Sequence, residues 1–315
     1  MITHTKIERH DGAGYRPYDL IMAFILSLFA LFSFLWPSTQ SAPGSEAGFM
    51  PRGFLVGLAF ALLALIIVVL APRDYSRCHW LIRFVRAFYP QALFGFLFME
   101  AIKLSALALG GYSHDAFFAD MDMAVFGMQP AISFSAALKA LPWWNELMFG
   151  SYFSYYVILA ITPWLPWLRG DEREAEREIS FLSAYMLIVF SFYVFFRVQG
   201  PKYWVPELAA IGYADFIGGP ITTFMRSVLG ASVLSGAAFP SSHAAGSLIL
   251  CFFIAKTQRA ILPLYVLLMI LISLSAVYIR AHWAVDIIGG LVVALALMPF
   301  MGFLHRRLSR VNPAL

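Results

Sequence analysis

Two short stretches of this sequence gather side chains that could do chemistry together. One reads Phe239-Pro240-Ser241-Ser242-His243, the other Tyr278-Ile279-Arg280-Ala281-His282-Trp283-Ala284-Val285-Asp286. His282 and Asp286 are four residues apart at the expected start of a helix, so they share one face about one turn from each other. A carboxylate there can accept a hydrogen bond from one imidazole nitrogen and leave the other free as a nucleophile. The plainer reading is an interfacial histidine beside an aspartate that caps or pairs. Ser241 and Ser242 open an apolar segment, where hydroxyls and free backbone N–H groups suit an anion. His243 beside them can donate a proton to a leaving oxygen. Pro-Ser-Ser is also ordinary helix-capping sequence, and that alternative stays open. Arg280, Lys202 and Arg197 are cations that could neutralise a phosphate, although a single such residue is more commonly a snorkelling or loop charge.

These residues must be held by apolar elements. The chain has 315 residues, 61% of them hydrophobic and 13% charged, with a mean hydropathy of +0.75. A soluble domain carries about 25% charged residues, so this composition implies a polytopic membrane protein. The net charge of +4 is small and the cations are dispersed, which argues against nucleic acid as a partner. Cys78 and Cys251 lie far apart and form no metal-ligand spacing. No metal site and no cofactor is expected.

A span needs about 20 mostly apolar residues. The expectation is an all-α helical bundle of about eight spans, near 18–36, 53–71, 87–109, 147–168, 179–196, 244–255, 261–279 and 283–303. Residues 110–143 break the pattern, with short interfacial helices expected at 121–126 and 132–141. Glu100 and Lys103 are spaced to pair within the third span. Asp120 and Asp122 are read as solvated charges or helix caps.

With eight spans both termini share a side. That side holds fifteen lysines and arginines and the other holds six, Lys103 lying inside a span. The positive-inside rule then places both termini in the cytoplasm. His243, His282, Lys202, Arg197 and Arg280 all fall on the opposite, outward face.

The order Gly200-Pro201-Lys202, Phe239-Pro240-Ser241-Ser242-His243, then Arg280-Ala281-His282 with Asp286 resembles the phosphatidic acid phosphatase type 2 (PAP2) superfamily. Within it the spelling is closest to the branch that contains inositol phosphorylceramide synthases. The stretch 122–130, Glu146 and the run 151–156 extend the likeness over about residues 85–305. The resemblance implies a six-helix catalytic core in 85–305, preceded by two extra helices in 1–84 and followed by a basic tail, 306–315. It implies His282 as nucleophile through a phosphohistidine, Asp286 as its orienting partner, and His243 as acid and base. Lys202, Ser241, Ser242, Arg280 and Arg197 would hold the phosphoryl oxygens. The first motif of the wider superfamily, Lys and then Arg-Pro, is absent, and Ala276 stands where its third motif places arginine. The partners implied are the bilayer, a lipid phosphate or phospholipid substrate, and a lipid hydroxyl or water as acceptor. Two other classes remain: a transporter or scramblase lined by these polar residues, and a catalytically inactive scaffold.

Overall fold

The computed structural model describes residues 14–35, 52–231 and 235–311. Lys6 and Arg9, the end of the first expected span at Trp36, and residues 312–315 of the tail lie outside them. The described residues are 80% helical and contain no strand, as the periodicity predicts. In chain order the helices are α1 Pro17–Leu35, α2 Arg52–Leu70, α3 Trp80–Ala108, α4 Asp115–Phe126, α5 Pro130–Leu138, α6 Pro142–Ile161 and α7 Trp164–Leu168. Then come α8 Glu172–Phe195, α9 Pro201–Trp204, α10 Pro206–Ile211, α11 Pro220–Ala231, α12 Ser242–Thr257, α13 Leu262–Tyr278 and α14 Ala284–Val311.

Six of these helices are long and apolar enough to cross a membrane: α1, α2, α3, α8, α13 and α14. The other two expected spans are also helices. The 16-residue α12 is apolar but short, and α6 carries Asn145, Glu146 and several tyrosines. The fourth span is shifted from its expected 147–168. It begins at Pro142, and the chain breaks at Pro163 before α7. Proline at the first turn of a helix is tolerated because its missing N–H has no intrahelical partner there. The two short helices expected in 110–143 form as α4 and α5, starting earlier than expected.

The chain divides into two compact units. One comprises residues 1–108, 163–191 and 299–315; the other comprises 109–162 and 192–298. In the first, Asp19 is fully buried in an apolar setting and is neutralised by Arg86. The guanidinium donates to both carboxylate oxygens, at 2.8 and 2.5 Å. Tyr89 Oη at 2.9 Å and the Arg16 N–H at 2.7 Å complete its acceptor capacity. A buried acid is tolerable only when so paired, and removing one partner of such a pair costs about 3–5 kcal/mol. Glu100 and Lys103 form their expected pair at 3.0 Å.

The second unit holds every candidate site residue. Its core packs Met148, Phe149 and Tyr152 of α6 against Ala276 and Tyr278 of α13, with Tyr213, Phe216 and Met225. Tyr278 donates to Asn145 within this core. The amide nitrogen of Asn145 in turn donates to the carbonyls of Lys139 and Ile217, both at 2.7 Å. That bond set fixes the end of α13 just before the Arg280–Asp286 stretch.

Candidate active site

The site is assembled from three backbone segments that meet edge to edge. Residues 198–200 lie beside 236–238, and the Ala238 N–H donates to Val198 O at 2.8 Å. The Lys202 N–H donates to Arg280 O at 2.9 Å, which ties the first segment to the third. Gly200 makes this approach possible. It has φ +83°, and a Cβ there would lie 2.3 Å from Ala281 O. Gly290 does the same for the second segment, because a Cβ on it would lie 2.5 Å from Ser241 O. Residue types without a side chain are needed where backbones come this close.

Asp115 joins the first and third segments. Its carboxylate, fully buried, accepts from the N–H groups of Gln199 and Gly200 at 2.8 Å and from Trp283 Nε1 at 2.9 Å. Asp122 performs a second clamp. It accepts from the N–H groups of Ala284 and Val285 at 3.0 and 2.9 Å, capping the first turn of α14 from a distant helix. This is the cap role expected of Asp122, while Asp120 is exposed.

His282 precedes α14 instead of lying on it, since the helix starts at Ala284. The shift changes the hydrogen bonding expected of Asp286. Asp286 is the third residue of the helix, and its carboxylate reaches back to the Trp283 N–H at 2.9 Å, half of a capping box. Its distance to His282 Nδ1 is 3.6 Å, longer than a hydrogen bond. The acceptor closest to Nδ1 is Ala238 O at 2.8 Å. A carbonyl can only accept, so Nδ1 carries a proton, and in the neutral ring Nε2 presents its lone pair. Ser241 Oγ lies 3.5 Å from that Nε2.

Ser241 caps α12, its Oγ accepting from the Ala244 N–H at 3.4 Å. The peptide between Phe239 and Pro240 is cis, and Tyr193 donates to Pro240 O at 2.7 Å. Ser242 and His243 follow in the first turn of α12, both buried. The His243 ring stands in a tyrosine cage from α6, stacked on Tyr152 at 4.3 Å and tilted against Tyr155 at 4.4 Å, with Tyr156 edge-on at 5.7 Å. It is 5.6 Å from the His282 ring, centroid to centroid. Neither His243 nitrogen has a hydrogen-bond partner among the described residues. An unpartnered buried polar atom costs about 1–3 kcal/mol, so such atoms mark places where a ligand belongs.

The three cations are placed differently. The Lys202 ammonium lies over the rings of Tyr213 and Tyr203 at 4.0 and 4.1 Å and forms no ion pair among the described residues. Burial pushes it down to about 8. Arg280 has a left-handed backbone, φ +64°, unusual for a residue with a side chain. Its guanidinium is bound to Asp215 at 2.7 and 3.2 Å and to Ser135 Oγ at 2.9 Å, and stacks over Phe216. Burial pushes the Asp215 carboxyl up, but hydrogen bonds from Arg280 and Lys139 outweigh it and hold the group below its ordinary value. Arg197 donates to Gly111 O and Ser235 O at 3.1 and 3.2 Å, so its fork braces the loop around Gly236.

A family model described as the PAP2 superfamily matches residues 118–300, more than half of the chain. The chain belongs to the PAP2 superfamily. No curated protein and no solved structure matches it. PAP2 members are generally phosphatase-type enzymes, and the matched range contains all eight residues singled out by sequence. Asp115, Asp215 and the tyrosine cage were not singled out as site residues. Their contacts span up to 168 residues of sequence, so no local pattern marks them, although 151–156 entered as part of the resemblance.

Among the described residues the Asp115 carboxylate accepts hydrogen bonds from backbone N–H groups and the Trp283 indole, so its expected effect is on placement. Asp115→Asn keeps the size but replaces one acceptor with a donor. Turnover should fall about 100-fold, as for a misplaced reacting group. Steady-state kinetics of the two proteins test this, beside a thermal melt to confirm folding. Equal turnover would show that the clamp is dispensable.

Proposed function

We propose that this protein is an integral membrane lipid phosphatase or phosphotransferase that works through a phosphohistidine on His282. The observation that carries the reading is the placing of two buried imidazoles side by side, one tethered and one without a partner among the described residues. His282 offers a lone pair at Nε2 while its Nδ1–H is held by Ala238 O. His243, 5.6 Å away, keeps both nitrogens unpartnered.

In the first step His282 Nε2 attacks phosphorus, an N–P bond forms and the P–O bond to the leaving group breaks. The leaving oxygen takes a proton from His243. In the second step His243 removes a proton from the acceptor hydroxyl, whose oxygen attacks phosphorus as the N–P bond breaks. Asp286 stabilises the positive charge that His282 develops, acting across 3.6 Å alongside the Ala238 carbonyl. Lys202, Ser241 and Ser242 supply positive charge and donors for the phosphoryl oxygens, which gain charge in the transition state. Arg280 and Arg197 contribute to this field while anchored by Asp215 and by loop carbonyls. With water as acceptor the product is a free phosphate. With a lipid hydroxyl it is a transferred phospho-headgroup, the outcome suggested by the motif spelling shared with inositol phosphorylceramide synthases. The charge asymmetry of the chain supports an outward site and cytoplasmic termini.

His282→Ala and His243→Ala should each lower turnover of phosphatidic acid, or of a phospholipid with ceramide or diacylglycerol as acceptor, by about 1,000-fold. A radiolabelled phosphate should be trapped, acid-labile, on wild-type protein and not on His282→Ala. Undiminished turnover by His282→Ala would end the nucleophile assignment.

Lys202 is charged below about 8 and neutral above it. Substrate binding should therefore weaken as pH rises through 8, and Lys202→Arg should move that loss to higher pH. A pH profile of KM that is identical in the two proteins would remove Lys202 from phosphate binding.

A cysteine introduced at an exposed position of residues 206–217 should react with an impermeant reagent in intact cells, and one in the C-terminal tail should not. The reverse labelling would invert the topology.

A further inference from the structure

Lys202 also lines an open cleft of about 590 Å³, whose other residues have no part in the chemistry above. Its polar lining is Lys202, Tyr203, Tyr213, Thr223, Arg226 and Ser227. We propose that this cleft is a headgroup subsite that selects anionic phospholipids and rejects those with a quaternary ammonium, with Arg226 as the specificity-determining residue. The proposal rests on the reading of the neighbouring site as one for lipid phosphoesters.

The position follows from Lys202, which belongs to both places. Its backbone is bonded to Arg280 O, two residues before His282, while its ammonium lies on the Tyr213 ring at the cleft. Tyr213 packs in one cluster with Tyr152, the ring on which His243 is stacked. A phosphoryl group held between the histidines would thus have its polar substituent directed past Lys202 into the cleft.

The charge of the cleft sets its selectivity. No aspartate or glutamate lines it. The nearest acid in sequence, Asp215, is taken up by Lys139 at 2.9 Å and Arg280 at 2.7 Å. Tyrosine faces are a common receptor for quaternary ammonium groups. Here the faces of Tyr203 and Tyr213 are already covered by the Lys202 ammonium, so a choline head would meet a cation where it needs a ring. Arg226 donates to Phe216 O at 3.2 Å, its one partner among the described residues. A guanidinium has five N–H donors, so four remain for a ligand. The hydroxyls of Thr223, Ser227 and the two tyrosines match a head that is hydroxylated and carries no positive charge.

α11 is built to place such a ligand. Thr223, Arg226, Ser227 and Gly230 fall on one face and line the cleft, while Thr222, Met225 and Leu229 face the core. The third face exposes Ile221, Phe224 and Val228 at 45, 54 and 48%. A single helix therefore offers polar contacts to a head and an apolar surface beside it, the arrangement of an interfacial amphipathic helix.

The test uses the full-length protein in detergent, with short-chain dihexanoyl-phosphatidylglycerol and dihexanoyl-phosphatidylcholine as probes and calorimetric titration as readout. Wild type should bind the glycerol lipid at least about tenfold more tightly, as for one charge-assisted contact. Arg226→Ala should lose that preference, Arg226→Lys should keep most of it, and Arg226→Glu should reverse it. Equal affinity of wild type for both lipids, or an unchanged preference in Arg226→Ala, would overturn the proposal. Inorganic phosphate is the second arm. It should compete equally in wild type and Arg226→Ala, because Arg226 is assigned to the headgroup; weaker competition in the variant alone would place Arg226 on the phosphoryl group and overturn the assignment. Because binding is read without turnover, a catalytically competent His282→Ala would defeat the proposed chemistry and leave the lipid preference still decisive for the cleft.

Discussion

The arrangement of this site depends on a carboxylate that does no chemistry. Asp115 receives two backbone N–H groups from the segment before Lys202 and the indole N–H of Trp283. Two of those donors are neighbours in the chain and the third lies far along it, so one carboxylate holds two distant segments together. Each unsatisfied donor would cost about 1–3 kcal/mol, so the acid enforces a single mutual position for the two segments. Gly200 then lets their backbones touch, and the Lys202 N–H bonds to Arg280 O, two residues before His282.

An apolar chain makes every buried polar group informative. Asp19 is saturated by Arg86, Tyr89 and a backbone N–H, and Asp122 closes the N-terminus of α14. Arg280 likewise gives three of its five N–H donors to Asp215 and Ser135. These bonds are spent on the fold. His243 and Lys202 differ: among the described residues the former has two unpartnered nitrogens and the latter an ammonium resting on aromatic faces. In a low-dielectric setting that contrast separates groups that hold the structure from groups left available to a ligand.

The histidine pair also shows how a helix boundary alters chemistry. Four-residue spacing would place Asp286 under His282 if both lay on one helix. Because α14 starts two residues later, Asp286 becomes an N-terminal cap and a carbonyl from the Pro-Ser-Ser-His segment takes the imidazole proton. The tautomer is the same in either case, and Nε2 remains the free nitrogen. The carbonyl, however, makes the orientation of His282 depend on the second segment as well as on its own.

The sequence by itself determined the all-helical membrane class, because too few charges are available to cover a soluble surface and apolar runs of about 20 residues recur. It also singled out the candidate site residues, since Pro240-Ser241-Ser242-His243 and Arg280-Ala281-His282 are local patterns whose residue types are rare in an apolar chain. Helix edges were less legible: α6 begins five residues before the expected span, at a proline that apolar periodicity does not weigh. Only the tertiary structure decided the partners. Asp115, Asp215 and the Tyr152, Tyr155 and Tyr156 cage reach their targets across 65 or more residues of sequence, through contacts that leave no periodic or compositional trace. Which cation is spent on the fold and which is left for a ligand is likewise a property of neighbours brought together by packing, not of the residue type.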